Sequence, residues 1–340
     1  MPMKTYEFYS IIVPSYNRQE EIEELIRSFE KVEFPRDRFE LVIVDDGSTD
    51  GTVNFLESTG PELSVDLVII RQKNQGPGAA RNNGMKSARG DFLIIIDSDC
   101  TVPADWLHQI DTNLHAEQAD AFGGPDTYRK EFPALLKAIN YSMTSFITTG
   151  GLRGRKGKKL ARFYPRSFNL GLSKALFLKI GGFNEMYYGE DIEFSHRMIK
   201  SGARIVFIEG AYVYHKRRTN LRRFIRQVFT MGKARIKLYR IDPELLEPLH
   251  AIPALAMLTA LLISVFAVFF QPFRYIFFGG LLLVLLLVVF AVFDAMREYR
   301  EIKPSLLLPV IIPTQVLAYA SGFIYAFIMV FLLNKKISEI

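Results

Sequence analysis

Two acids that follow an apolar run are the most informative residues of this chain. Phe92–Ile96 is apolar throughout, which predicts a buried strand. The run ends directly at Asp97 and Asp99, which are separated by one residue. Two carboxylates in this position can hold Mg²⁺ or Mn²⁺, and such a cation can in turn hold a diphosphate. The alternative is an ordinary polar turn after a core strand.

The segments around this pair predict the elements that position it. Strand-like and helical patterns alternate from residue 8 to residue 96, which is typical of an α/β fold with a parallel, doubly wound sheet. Right-handed crossovers place the carboxyl ends of the strands along one edge, where such folds bind ligands. Three polar clusters follow strands and should share that edge, which favours a site over three unrelated turns. They are Ser15–Asn17, Asp45–Ser48 and Asp97–Asp99. The first predicted strand ends with Ser10–Pro14, and the next three cover Leu41–Val44, Val65–Ile70 and Phe92–Ile96. The predicted helices cover Arg18–Phe29, a segment ending near Leu56, and Gly76–Ala88.

The chain changes character near Ala251. Its 340 residues are 49% hydrophobic, but three long, nearly uncharged stretches at the C-terminal end carry much of that fraction. Each stretch is long enough to cross a bilayer core. The alternative is that the three stretches are buried helices of a soluble protein. We therefore expect a soluble domain over 1–240 and an α-helical membrane domain over 241–340. The apolar stretches are Ala254–Phe270, Tyr275–Phe293 and Leu306–Leu333, which predict helices at about 252–270, 274–293 and 306–333.

Charge predicts the orientation and the compartment. Between Lys216 and Arg240 there are ten Lys or Arg residues and no acid, directly before the first apolar stretch. The positive-inside rule then predicts a multi-pass protein of the cell (inner) membrane with its N-terminal domain in the cytoplasm. Three spans would leave the C-terminus outside, which Lys335 and Lys336 oppose. The net charge of +6 is concentrated beside the apolar stretches, so we expect a lipid bilayer and no nucleic acid as the basic region's partner. A strand-like start predicts no cleavable signal peptide, and the single cysteine, Cys100, permits no internal disulfide.

Several motifs in order resemble those of family 2 glycosyltransferases with the GT-A fold. The resemblance covers about residues 8–235, and its strength lies in the order of independent motifs rather than in any one tripeptide. The motifs are Val-Pro-Ser-Tyr-Asn (13–17), Val-Asp-Asp-Gly-Ser-Thr-Asp (44–50), Gly-Pro-Gly-Ala-Ala-Arg-Asn-Asn-Gly (76–84), Asp-Ser-Asp (97–99), Gly-Gly-Phe-Asn-Glu (181–185) and Gly-Glu-Asp-Ile-Glu-Phe-Ser-His-Arg (189–197). It implies a Rossmann-like, mostly parallel sheet and transfer of a sugar from a nucleotide donor, with UDP and GDP both open.

The resemblance also implies a donor site and a metal. Asp99 would bind Mg²⁺ or Mn²⁺ directly, Asp97 would meet ribose or metal-bound water, and His215 sits where some relatives supply a further ligand. A carboxylate of the Asp45–Asp46 pair can accept an N–H of the nucleobase, although turn formation and helix capping are alternatives for both. A helix-surface role is the alternative for Arg81, and a structural role for His215. The implied donor-binding residues are Pro14, Tyr16, Asn17, Asp45, Asp46, Arg81, Asp97 and Asp99.

Glu190 and Asp191 form the implied catalytic pair. Inverting transfer needs a base for the acceptor hydroxyl, and the resemblance places that base at Asp191 with Glu190 beside it. Helix capping is the alternative for both acids. Asn169 and Gly181–Phe183 would shape the acceptor wall or simply pack. The seven basic residues of Arg153–Arg166 predict a loop over the site, with a solvated loop as the alternative.

The predicted reaction is transfer of a single sugar to a lipid-linked or envelope saccharide. Processive synthases that resemble this chain carry a Q-x-x-R-W motif after the catalytic acid, whereas Arg226–Gly232 contains no tryptophan. Transfer to polyprenyl phosphate is the enzymatic alternative. A non-catalytic membrane scaffold that retains the fold is the alternative from a different class.

Overall fold

The computed structural model describes residues 4–149, 163–184, 186, 188–216 and 220–336. These residues form two compact units. The first consists of the described residues within 4–129 and 163–216. The second consists of 130–149 and 220–336.

A seven-stranded sheet forms the centre of the first unit. Its order is β3-β2-β1-β4-β8-β6-β9. The first four strands along the chain are mutually parallel where they pair, as the sequence predicts, and β8 runs antiparallel to both β4 and β6. The strands are β1 (Tyr9–Ser15), β2 (Phe39–Asp45), β3 (Asp66–Arg71), β4 (Phe92–Ile96), β5 (Cys100–Thr101), β6 (Ala121–Gly123), β7 (Asp126–Thr127), β8 (Asn169–Ser173), β9 (Ile205–Phe207) and β10 (Val213–His215).

Helices cover both faces of this sheet because successive strand residues point to opposite sides. Ile11 and Val13 join one apolar cluster with the buried stripe of α1, whereas Ile12 joins a second cluster that includes Met85 of α3. The β1–α1–β2–α2–β3–α3–β4 order confirms the predicted alternation of strands and helices. The helices of this unit are α1 (Gln19–Phe29), α2 (Thr52–Thr59), α3 (Pro77–Ser87), α4 (Trp106–Glu117), α7 (Lys174–Ile180) and α8 (Glu190–Lys200).

A second, three-stranded sheet of order β5-β10-β7 lies in the same unit. Its antiparallel β10–β5 pairing sets His215 opposite Cys100, and its parallel β10–β7 pairing sets Val213 opposite Asp126. The strands β5, β7 and β10 thereby bring residues from three parts of the chain together.

The second unit is helical. Three of its helices are long and apolar enough to cross a membrane: Pro248–Phe269, Gln271–Tyr299 and Leu308–Leu332, the last including a π-helical end from Ile328. Its elements are α5 (Ala134–Thr144), α6 (Phe146–Thr149), α9 (Leu221–Ile241), α10 (Pro248–Phe269), α11 (Gln271–Tyr299), α12 (Ile302–Leu306) and α13 (Leu308–Phe327).

Helix α11 runs to Tyr299, past the apolar stretch that the sequence indicates. Its polar end is retained in the helix because it is bound to α5. The Tyr141 hydroxyl donates to Asp294 at 2.7 Å, and the Tyr299 hydroxyl donates to the Lys137 carbonyl at 2.9 Å. Lys137 also pairs with Glu301 at 2.7 Å. Side chains far away in sequence thus decide where this helix ends.

Candidate functional site

Asp46 binds the backbone of the loop between β3 and α3. Its carboxylate accepts the backbone N–H groups of Gln75 at 2.9 Å and Gly76 at 2.8 Å, together with the Gln72 side-chain amide at 2.8 Å. Gly76 precedes α3 with a φ of +88°, a conformation that favours glycine. Three donors therefore engage Asp46, which makes it a positioning residue for the start of α3.

Asp45 retains an acceptor atom. Its Oδ2 accepts the Ser48 N–H at 3.1 Å, whereas its Oδ1 is buried without a partner among the residues that the structure describes. Ser15 pairs with Asp45 in the β1–β2 register, and its Oγ is likewise buried without a hydrogen-bond partner among the described residues. Buried polar atoms in this condition are uncommon and call for an explanation such as a bound ligand. Of the two adjacent acids, Asp45 is therefore the better candidate for accepting a nucleobase N–H.

Asn17 connects the first polar cluster to the second. It has a φ of +51°, and its Oδ1 accepts the Thr49 N–H at 2.7 Å while its own N–H donates to Ser48 Oγ at 2.8 Å. Pro14 is buried in β1, whereas Tyr16 is 47% exposed. Tyr16 is thus placed to meet a ligand, and Asn17 to shape the loop; a donor contact by either stays a prediction.

Arg81 joins the two acidic motifs of the first unit. This buried guanidinium donates to Asp97 Oδ1 at 2.8 Å and to Glu190 Oε1 at 3.1 Å, and it lies 5.4 Å from the centroid of the Phe183 ring. It is therefore no helix-surface residue. Because one cation spans both acids, Arg81 fixes the start of α8 against the turn that follows β4.

Asp99 and His215 form the best candidate metal site in the described part of the chain. His215 Nε2 lies 3.1 Å from Asp99 Oδ1, and Nδ1 lies 3.3 Å from Oδ2 of the buried Asp126, within ion-pair distance. Cys100 Sγ lies within 4.8 Å of the Asp99 and His215 donor atoms. A carboxylate and an imidazole suit Mn²⁺ or Mg²⁺ better than a thiolate does, and a carboxylate behind a ligating imidazole is a common arrangement. The residues present fit such a cation, with Asp99 and His215 as ligands and Asp126 holding the ring.

Two groups of the site have perturbed pKa values. Burial lowers the pKa of His215, but Asp99 and Asp126 outweigh it and raise the value to about 9. Burial and the neighbouring Asp191 raise the pKa of Glu190 to about 7, although Arg81 opposes them. Such shifts are frequent where acids and bases work, although structural ion pairs produce them as well.

Asp191 lies in the first turn of α8 and is partnered on both oxygens. Its Oδ1 accepts the Ile192 N–H at 2.9 Å, and its Oδ2 lies 3.0 Å from Arg166 Nε. Arg166 is the last residue of the basic segment singled out in the sequence; residues 153–162 of that segment lie outside the described residues, so the predicted loop stays a prediction.

The candidate acceptor-wall residues are engaged in packing. The Asn82 side chain exchanges two hydrogen bonds with the Phe183 backbone, and the Phe183 ring stacks on Phe194 at 4.2 Å. Asn169 donates to the Ala211 carbonyl at 2.6 Å, while its Oδ1 is buried and unpartnered in the described structure. The packing alternative accounts for Phe183, whereas Asn169 keeps one acceptor available.

Sequence reasoning missed Asp126. It follows Gly123, Gly124 and Pro125, which indicate only a turn, and it reaches His215 through a β-pairing between residues far apart in sequence. The clearest sequence signal for Asp126 was that this acid follows shortly after the short apolar run Ala121–Phe122.

Comparison with known proteins identifies the family of the matched N-terminal residues. Residues 10–177 match the family model described as glycosyl transferase family 2. They form a family 2 glycosyltransferase domain. The chain is 24% identical over 239 residues to glycosyltransferase AglE of Haloferax volcanii, covering 70% of this chain and 76% of AglE. It is 36% identical over 112 residues to an undecaprenyl-phosphate 4-deoxy-4-formamido-L-arabinose transferase of Pseudomonas fluorescens, covering 32% and 33% of the two chains.

A solved structure shares the fold. The mannosyltransferase PcManGT from Pyrobaculum calidifontis, solved with GDP-Man and Mn²⁺, superimposes with a TM-score of 0.64 at 19% identity. The match covers 95% of this chain and 88% of PcManGT. The predicted GT-A architecture, followed by apolar helices, is thereby confirmed.

Proposed function

We propose that this glycosyltransferase moves a single sugar, with inversion, from a nucleotide-diphosphate sugar to a lipid-linked or envelope saccharide at the cytoplasmic membrane face. The catalytic domain would occupy about residues 1–240, with residues 241–340 holding it at the membrane. The observation that carries the proposal is the Asp99–His215 pair backed by Asp126, with Asp99 in the turn that follows β4. A diphosphate held by a divalent cation is the ligand for which such donors are suited.

The donor would bind along the carboxyl ends of the parallel strands. Asp45, with its unpartnered Oδ1, would accept a nucleobase N–H, and Tyr16 would lie beside the base. Asp99 and His215 would hold Mg²⁺ or Mn²⁺, which when bound neutralises the departing nucleoside diphosphate. Arg81 would keep Asp97 in place.

Asp191 would take the proton from the acceptor hydroxyl. For this, one oxygen must exchange its present partner for the acceptor, and the Arg166 contact at 3.0 Å is the one that a side-chain rotation can release. Glu190, held by Arg81, would fix the helix on which Asp191 stands.

Polyprenyl phosphate is the second candidate acceptor, because the Pseudomonas fluorescens relative is an undecaprenyl-phosphate transferase. A phosphate nucleophile carries little or no proton at neutral pH and needs little help from a base. The same donor site would then serve with a smaller role for Asp191.

The test compares Asp191→Asn with the wild type on a polyprenyl-diphosphate-linked saccharide and on polyprenyl phosphate. Loss of a general base lowers kcat by about 10²–10⁴-fold. We expect that loss on the saccharide and a small change on the phosphate. Glu20→Gln, in the first turn of α1, is the matched control and should keep full activity. Undiminished transfer by Asp191→Asn to the saccharide would contradict the base assignment.

A further inference from the structure

Helices α9 and α13 of the second unit lie side by side and run in the same direction. Phe229 contacts Gly322, and the Tyr239 ring lies 6.0 Å from the Phe331 ring, so the contacts advance together along both helices. Ile236 lies in one apolar cluster with residues of α13. The pair is therefore packed along much of its length rather than crossed at a point.

Two glycines make this approach close. A Cβ at Gly232 would overlap the Tyr319 carbonyl oxygen, and a Cβ at Gly322 would overlap the Phe229 carbonyl oxygen. Small residues at a helix contact let backbones meet in this way. Any position assigned to α13 in a membrane must therefore also suit α9.

Helix α9 is unsuited to the bilayer core. It carries seven Lys or Arg residues and no acid in 21 residues, and they occur in both of its halves. Charged side chains are energetically unfavourable in the hydrocarbon core, whereas a basic, amphipathic helix is well suited to a membrane surface. If α13 crossed the bilayer, α9 would be carried through it as well.

The buried residues of the α10–α11 hairpin all lie at its base. The buried residues of α10 are His250 and Ala254, near its start, and those of α11 lie between Val288 and Tyr299, near its end. Every residue from 255 to 287 is described, and none is buried. At about 1.5 Å per residue, each arm extends roughly 22–25 Å beyond this base, close to the thickness of a bilayer core.

Helix α13, in contrast, remains in that basal layer over its whole length. Its buried residues run from Leu308 to Ala326, and Val330 continues the series. The Tyr319 hydroxyl donates to the His250 carbonyl at 3.2 Å, at the base of the hairpin. A third span would leave this layer at one end, as α10 and α11 both do.

We propose that α13 and α9 form a layer in the membrane–water interface, so that only α10 and α11 cross the bilayer. The partner of this layer is the boundary between headgroups and acyl chains. The exposed apolar residues Val310 and Leu317 of α13, and Ile328 at the start of its π-helical end, face the acyl chains, and the basic residues of α9 face anionic headgroups. Lys335 and Lys336 then lie on the same side as residues 242–247, as the positive-inside rule favours.

Depth measurements test the in-plane orientation in the full chain reconstituted in vesicles. Val310, Leu317 and Ile328 are spaced by close to whole helical turns and share one face, so cysteine substitutions there carry a fluorophore to comparable positions. Quenching by lipids with nitroxides at different acyl positions gives the depth of each. The native Cys100 is fully buried, and the unsubstituted chain gives its background.

We expect equal, shallow depths at these three positions, with Leu262→Cys in α10 and Leu281→Cys in α11, near the middle of each arm, as deep controls. If α13 crossed the membrane, the outer two positions would differ by roughly 27 Å along the normal. A depth gradient across the three positions, with Leu317 as deep as Leu262, would overturn the proposal.

Sidedness gives an independent readout. Lys336→Cys, Glu244→Cys and Gln271→Cys are treated with a membrane-impermeant maleimide in sealed vesicles. Two spans predict that Lys336→Cys reacts from the same side as Glu244→Cys and from the opposite side to Gln271→Cys, at the hairpin tip. Labelling of Lys336→Cys together with Gln271→Cys would establish a third crossing.

Discussion

Replacement of Arg81 tests the network that joins the turn after β4 to α8. Arg81→Met keeps the volume but leaves Asp97 and Glu190 without their shared cation, and removing one partner of a buried ion pair costs about 3–5 kcal/mol. Arg81→Lys keeps the charge, but a single ammonium cannot span both acids with the fork geometry of a guanidinium. It should lose about one charge-assisted hydrogen bond, about 1.5–3 kcal/mol.

Thermal unfolding of purified full-length protein in detergent measures these losses. At roughly 2–4 °C per kcal/mol for a unit of this size, Arg81→Lys should lower Tm by roughly 3–12 °C. The control Arg27→Lys alters an exposed i,i+4 pair with Glu23 and should change stability by less than about 0.5 kcal/mol. Combining Arg81→Met with Glu190→Gln should cost less than the sum of the two single changes. A wild-type Tm for Arg81→Lys together with strict additivity would refute the shared-cation account.

Three further predictions follow from single contacts. Asp126→Asn should weaken Mn²⁺ binding about 10–100-fold by calorimetric titration, because the His215 ring loses its carboxylate, whereas the exposed control Asp105→Asn should not. The pKa of Glu190 is raised from 4.5 to about 7, so its ionisation lowers stability as pH rises through that window. Relative to Glu190→Gln, the wild type should lose up to about 3 kcal/mol between pH 5 and pH 8, and a constant difference in denaturant titrations would contradict this. Gly232→Ala should cost about 1–3 kcal/mol by overpacking against Tyr319, whereas Gly280→Ala, where a Cβ meets nothing, should be tolerated.

Local pattern was sufficient for the first half of the sheet. Phe92–Ile96 is a strand over the predicted residues, and the strands around Leu41–Val44 and Val65–Ile70 differ only at their ends. These segments are apolar runs bounded by turns, so their structure is determined locally. The antiparallel β8 was not predicted, because its pairing with β4 and β6 depends on residues far away in sequence.

Which role each site residue has depends on tertiary contacts that the sequence pattern does not reveal. Asp45 and Asp46 are adjacent and chemically identical, but three loop donors occupy Asp46 while Asp45 keeps a buried oxygen without a described partner. The ion pair of Asp191 with Arg166 likewise connects segments that sequence analysis treats separately. The sequence therefore identifies the candidate acids, whereas the tertiary contacts of strands and loops determine which carboxylate oxygen can accept a hydrogen bond from a ligand.

Donor binding tests the central claim most directly. Detergent-purified protein is heated with each member of a nucleotide-sugar panel in the presence of Mn²⁺ or Mg²⁺, and nucleoside-diphosphate release is followed in parallel. A ligand at 100 times its Kd stabilises the folded state by about 2.7 kcal/mol. We predict that one donor raises Tm only with the cation, and that Asp99→Ala abolishes the shift. If no donor shifts the Tm of folded protein, the chain is a membrane scaffold that retains the fold without the reaction.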